Sequence, residues 1–87
     1  MSADQPTSES RRHRSLEEIL LALGGRIRNE RKQKGFSQEG FAAECGLHRT
    51  EMGLLERGRT IPRLDTLLIV SGHLGLPLSD LLRGLQH

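Results

Sequence analysis

Residues 38–57 constrain the fold more than any other part of the chain, because they fit two short helices that cross steeply over a tight turn. Such helices need a small side chain where they approach most closely, and Ala42 supplies it. The turn needs a residue that tolerates positive φ, and Gly46 lies there. The inward positions should be apolar, and all of them are: Phe41, Cys45, Leu47, Met52 and Leu55.

The part of the chain before this segment predicts a polar arm followed by helical structure. Residues 1–14 are polar and charged and lack periodic hydrophobic residues, so we expect a flexible basic arm. Ser15 and Glu18 have the spacing of a capping box, which predicts that a helix begins near Leu16. Apolar residues then recur at helical spacing, and the pair Gly24-Gly25 is interpreted as a division of this stretch into two helices.

Helix-breaking residues divide the remainder of the chain. Ser37 is a predicted N-cap, Gly58 follows a helix over about 48–57, and Pro62 forces an extended connection. A fourth helix is predicted over 64–74 and a short last helix after it. We expect the following residues to face or cover the core: Leu64, Leu67, Leu68, Ser71 and Leu74 from the fourth helix, and Leu78, Leu81 and Leu82 from the last.

Composition limits the chain to a small number of protein classes. Its 87 residues allow one domain with a modest core, and Phe36 and Phe41 are the only aromatic residues. One cysteine excludes an internal disulfide framework and favours a reducing compartment, so we expect a cytoplasmic, nucleoid-associated protein. No segment approaches the roughly 20 apolar residues of a membrane span. The fold predicted for residues 15–87 is all-α, a compact five-helix domain with an N-terminal helical extension.

Four stretches together resemble the phage-repressor-like helix-turn-helix family, also called the Cro/C1 or xenobiotic-response-element type. They are Leu-Gly-Gly-Arg-Ile-Arg at 23–28, Gly-Phe-Ser-Gln at 35–38, Leu-Glu-Arg-Gly-Arg at 55–59 and Leu-Gly-Leu-Pro-Leu-Ser-Asp-Leu-Leu at 74–82. The resemblance covers about two-thirds of the chain. It implies a lambda-repressor-like domain whose helix-turn-helix spans 38–57.

This resemblance implies a set of DNA-contacting residues. Family members place the third helix in the major groove, and Arg49 is the strongest candidate base reader because its planar fork can donate twice to guanine. The other positions that we expect to face bases are His48, Thr50, Gly53 and Leu54, and those that we expect to contact phosphates are Ser37, Gln38, Arg57, Arg59 and Arg63. The run Arg11, Arg12, His13 and Arg14 is either a minor-groove contact or a solvated tail.

Other residues with chemical potential are expected to be structural. Glu56 should pair with an arginine such as Arg31, and Cys45 should be a small buried hydrophobic residue. The four histidines lack metal-ligand spacing, so no metal or other cofactor is predicted. No nucleophile and base pair or phosphate-binding glycine loop can be assembled, which argues against an enzyme.

We therefore predict a transcription regulator, a repressor or an activator, that binds double-stranded DNA at a two-fold operator as a homodimer. The alternative is an antitoxin or adaptor that uses the same fold to bind a protein partner, such as a toxin or another regulator. Two alternatives remain for the dimer surface. One is the last two helices together with Leu85, which we expect to be exposed, and the other is the stretch from Leu16 to Leu23. The operator sequence, the target genes and the sign of regulation are not predicted.

Overall fold

The first helix is longer than the sequence predicts. A computed structural model describes residues 14–87, and in it α1 runs without a break from Leu16 to Gln33. Its start is the predicted capping box, in which the Ser15 amide donates to Glu18 Oε1 at 3.1 Å and the Glu18 amide donates to Ser15 Oγ at 3.2 Å. The predicted division at Gly24-Gly25 is wrong, because Gly24 allows close packing within one continuous helix.

Four shorter helices follow α1: α2 (Gln38–Cys45), α3 (Arg49–Glu56), α4 (Leu64–Leu74) and α5 (Leu78–Leu82). The ends of these helices are set by the residues from which the sequence analysis predicted them. Ser37 Oγ accepts from the Gly40 amide at 3.0 Å at the start of α2. Gly46 and Gly75 end α2 and α4 in the left-handed conformation, with φ of 70° and 73°. Residues 14–87 contain no strand, and the predicted all-α architecture is confirmed.

The core is almost entirely aliphatic, and all five helices contribute to it. α3 packs against both α1 and α2, and α5 packs against α1 and α4. Phe36 and Phe41 form an aromatic pair with ring centroids 5.3 Å apart. The fully buried large side chains are Ile27, Phe41, Met52, Val70, Leu74 and Leu81.

Several predicted placements of leucines are wrong. α4 buries Leu67, Val70, Ser71 and Leu74, and this face leaves Leu64 and Leu68 in solvent, 65% and 53% exposed. Leu82 also points outward, while Leu81 of the same helix is buried. Leu85, which was expected at the surface, is 3% exposed because the chain turns at Gly84 (φ 70°) and returns over the core.

The last residues of the described chain are tied both to its beginning and to α1. The Arg14 amide donates to the Gln86 carbonyl at 3.0 Å, and Arg26 Nη1 donates to the carbonyls of Leu81 and Arg83 at 2.9 and 2.7 Å. The rest of the predicted arm, including Arg11, Arg12 and His13, lies outside the described residues. Within residues 14–87, no helix combines the length and apolar character that a membrane crossing requires.

Candidate nucleic-acid interface

α2 and α3 are joined by a tight turn with the predicted chemistry. Gly46 takes the left-handed conformation after α2, and its amide and that of Leu47 bond back to the carbonyls of Ala43 and Ala42 at 3.1 and 2.8 Å. At the start of α3, the His48 amide donates to Glu51 Oε1 at 3.1 Å. These local bonds fix where α3 begins and therefore which of its side chains face outward.

The inner side of α3, formed by Met52, Leu55 and Glu56, is held in the protein. Met52 and Leu55 are 0% and 3% exposed. The buried Glu56 carboxylate accepts from Arg31 through two bonds, Nε to Oε2 at 2.6 Å and Nη2 to Oε1 at 2.9 Å. Arg31 Nη1 donates to the Phe36 carbonyl at 2.9 Å. The predicted Arg31–Glu56 pair is confirmed, and its hydrogen bonds raise the pKa of Arg31 above its usual value.

Gln38 extends this buried pair to the surface. Its Nε2 donates to Glu56 Oε1 at 3.2 Å, so one amide hydrogen of the partly buried side chain is already engaged. The second hydrogen of the same nitrogen remains for a ligand. The sequence did not predict this bond, although a glutamine at the start of α2 and a buried glutamate at the end of α3 are the residue types that such a link needs.

The outer side of α3 carries Arg49, Thr50 and Gly53, and Arg57 caps its end. Arg49 and Thr50 are exposed, and the only carboxylate near the Arg49 guanidinium in residues 14–87 is that of Glu39, at 4.0 Å. Five of the predicted DNA-contacting residues border one shallow concavity: Gln38, Arg49, Thr50, Gly53 and Arg57. The arrangement presents guanidinium, hydroxyl and amide donors on one continuous surface.

The remaining predicted contacts lie elsewhere. Leu54 is half-buried and lines a neighbouring apolar hollow with Leu47, Ile61, Pro62 and Arg63. Arg63 Nε donates to Asp65 Oδ1 at 3.2 Å.

Three further predicted residues are exposed and border neither depression: Ser37, His48 and Arg59. The Ser37 hydroxyl is occupied as the acceptor of the α2 cap but keeps its own hydrogen to donate.

Cys45 has the structural role predicted for it. It is 5% exposed, and burial raises the pKa of its thiol to about 11, which keeps it protonated and weakly nucleophilic near neutral pH. Residues 14–87 contain no group of three or more histidine, cysteine, aspartate or glutamate side chains arranged to hold a metal ion.

Comparisons with known proteins agree with this geometry. The family model described as Helix-turn-helix matches residues 27–81. Control protein C.BamHI of Bacillus amyloliquefaciens is 42% identical over 65 residues, which cover 74% of this chain and 80% of that protein.

Solved structures of other proteins share the fold. The restriction-modification controller protein C.AhdI from Aeromonas hydrophila has a TM-score of 0.69 at 35% identity, over 71% of this chain and 94% of its own. The DNA-binding domain of the P22 C2 repressor has a TM-score of 0.68 at 29% identity, over 75% of this chain and 86% of its own. The predicted repressor-like fold is confirmed, and the similarity is to regulators rather than to enzymes.

Proposed function

The chain belongs to the phage-repressor-like helix-turn-helix family and is a DNA-binding transcription regulator, and from that premise we propose that it represses transcription by binding a two-fold operator as a homodimer. One observation carries the proposal. α3 is fixed by its buried inner side, while Arg49 and Thr50 on its outer side are exposed and form a donor surface with Gln38. A rigid helix with a free polar face is what major-groove recognition needs.

Each part of this surface has its own proposed role. Arg49 donates both arms of its guanidinium to guanine O6 and N7, which is worth roughly 1 to 3 kcal/mol of base discrimination. Thr50 contacts a base or a thymine methyl, and Leu54 offers only apolar contact. Ser37 and Gln38 at the start of α2, together with Arg59 and Arg63 after α3, bind phosphates and orient the protein on the duplex.

The proposed dimer surface is apolar and consists of Ile61, in the connection that follows α3, and of Leu64 and Leu68 on α4; we call it the α4 stripe. These side chains are 68%, 65% and 53% exposed, an unusual set of large apolar groups for a protein surface. Ile61 lies in the connection that follows α3 and Leu64 begins α4, so a second copy paired there through a two-fold axis would put both recognition helices near the interface. We propose that a second copy of the chain packs against the α4 stripe.

The similarity to C.BamHI and C.AhdI supports a narrower proposal. C.AhdI is a restriction-modification controller protein, and this chain matches it over 94% of its length. We propose that this chain also regulates a restriction-modification system. A neighbouring restriction or methyltransferase gene with an operator upstream would support this assignment, and an adjacent toxin gene would instead favour the antitoxin alternative.

The test of DNA binding is selection of genomic fragments by purified protein, followed by anisotropy titration of the best fragment against scrambled DNA. We expect a two-fold site bound at least about 1000-fold more tightly than scrambled DNA, and loss of discrimination in Arg49→Ala. Arg83→Ala, directly after α5, is the matched control, because it removes the same charge away from α3. Equal and weak binding to all DNA, abolished by salt, would contradict the proposal and favour a protein-interaction module.

The test of the dimer surface is sedimentation of two lysine variants. Leu68→Lys lies on the α4 stripe, and Leu21→Lys lies on α1 at a similar exposure of 59%. We expect Leu68→Lys to be monomeric and Leu21→Lys to remain dimeric, because a buried lysine without a partner is costly. The opposite result would assign the interface to the Leu16 to Leu23 stretch.

A further inference from the structure

We propose that Arg57 reads a base edge alongside Arg49, and that Gly53 is the residue that allows it to do so. This inference rests on the proposed function, because it assigns sequence discrimination to a residue that the sequence placed among the phosphate contacts. It predicts two guanidinium forks on one recognition helix, each directed at the edge of a guanine.

The first step of the argument is the contact between Arg57 and Gly53. A Cβ built on Gly53 would lie 3.0 Å from Arg57 Nη1 and 3.7 Å from both Cζ and Nη2, and these are its three nearest atoms. Gly53 is buried although it lies on the outer side of α3. The Arg57 guanidinium therefore lies over the helix at the place where a side chain at position 53 would stand.

The second step is the direction of the side chain. Side chains on a helix lean toward its N-terminus, so a residue at i+4 lies over residue i. At about 100° per residue, Arg57 is rotated by only about 80° from Arg49 around the axis and falls between Gly53 and Thr50. The side chain thus returns along the outer side of α3, into the concavity that it shares with Arg49 and Thr50.

The third step is that the Arg57 guanidinium has no competing partner among residues 14–87. Within the described part of the chain, no carboxylate lies within ion-pair distance of this guanidinium and none of its N–H groups donates a hydrogen bond, whereas Arg63 is paired with Asp65. A guanidinium presents five N–H donors in a planar fork, and guanine presents O6 and N7 acceptors in the major groove. Arg59 and Arg63 do not border the same concavity, which separates them from this role.

The experiment is titration of the selected operator, and of every single-base variant of one half-site, with wild type, Arg57→Lys and Arg57→Ala. Lysine keeps the charge but cannot form a bidentate pair with guanine. We expect both variants to lose discrimination at the same one position, distinct from that of Arg49→Ala, by roughly 5- to 150-fold. Because the lysine retains its charge, the salt slope of Arg57→Lys should stay near that of wild type.

Gly53→Ala provides an independent variant that leaves Arg57 in the sequence. Its Cβ would push the guanidinium from its place, and the flexible side chain can move without disturbing the backbone. We expect the same positional loss of discrimination, with thermal stability no lower than that of wild type because alanine favours helix. The matched control is Gly25→Ala in α1, where an added Cβ meets no atom within 4 Å and discrimination should be unchanged.

The outcomes separate this inference from the proposed function. If wild type selects a site and Arg57→Lys keeps every base preference, Arg57 is a phosphate contact and the inference is overturned while the proposed function stands. Uniform loss of affinity in Arg57→Ala, with a salt slope lower by about 1, would overturn it in the same way. If wild type selects no site, both are overturned.

Discussion

The two sides of α3 differ in almost every physical respect. The inner side buries Met52 and Leu55 and pairs Glu56 with Arg31 through two hydrogen bonds. On the outer side, Arg49 and Thr50 are exposed and make almost no contact with the rest of the described chain. One side of a two-turn helix therefore holds it in place, and the other is left free for a ligand.

This difference explains how so short a helix can serve as a recognition element. An isolated helix of eight residues is not stable in water, so α3 depends on its packing for its existence. The Arg31–Glu56–Gln38 chain also links α3 to α1 and to the start of α2. The donors of both helices are thus held at fixed relative positions before any DNA is present, which lowers the cost of ordering them on binding.

The largest expected effect comes from breaking the inner side at Glu56. Glu56→Ala leaves the buried Arg31 charge without its partner, and we expect the free energy of unfolding to fall by about 3–5 kcal/mol, measured by urea denaturation with circular dichroism. Glu39→Ala is the control, because that exposed carboxylate approaches Arg49 only to 4.0 Å and should contribute no more than about 1 kcal/mol. Similar losses of unfolding free energy for both variants would mean that the inner and outer sides of α3 contribute equally to stability.

A smaller loss is expected where α1 meets the end of α3. A Cβ on Gly24 would lie 2.4 Å from the carbonyl oxygens of Leu55 and Glu56, so Gly24→Ala must push two backbones apart. We expect the free energy of unfolding to fall by about 1–3 kcal/mol in the same urea measurement. The neighbouring Gly25→Ala meets open space and should be neutral or stabilising. A neutral Gly24→Ala would contradict the close approach.

The sequence predicted the fold well where local chemistry decides it. Capping at Ser15 and Ser37 and the left-handed turn at Gly46 depend on a few adjacent residues, and each was predicted correctly. Gly24 was misinterpreted because a glycine that admits another backbone looks in sequence like one that ends a helix. Leu64 and Leu68 were misplaced because helical spacing predicts a face without saying which of two overlapping apolar faces meets the core.

The site could be predicted only in part, for a related reason. The residues bordering the concavity were all named as DNA contacts from the sequence, because the resemblance to the helix-turn-helix family implies which positions around the third helix face DNA. The bond from Gln38 to Glu56 and the placement of Arg57 over Gly53 were missed. Each depends on two residues that meet in the folded chain: Gln38 and Glu56 on neighbouring helices, and Gly53 and Arg57 along one helix. The four-residue spacing of Gly53 and Arg57 indicates their contact only once the side of the helix that they share is known.

The next effect concerns the cap that begins α2. Ser37→Ala removes the acceptor of the Gly40 amide, and we expect a loss of about 1 kcal/mol, within the range of 0.5–2 seen for N-cap substitutions. Hydrogen exchange at the Gly40 amide should accelerate as well. Ser79→Ala in α5 is the control, because Ser79 is exposed and is not the cap of its helix. If both substitutions cost the same, the capping bond contributes nothing.

The smallest effect on stability is expected on the outer side itself. The Thr50 side chain is exposed and makes no hydrogen bond within residues 14–87, so Thr50→Ala should change the free energy of unfolding by no more than about 0.5 kcal/mol. Its affinity for the selected operator should nevertheless fall, because the lost hydroxyl and methyl belong to the surface that meets the bases. A variant that loses stability but keeps its affinity would show that Thr50 supports α3 rather than contacting DNA, and the contrast between the two sides would fail at that position.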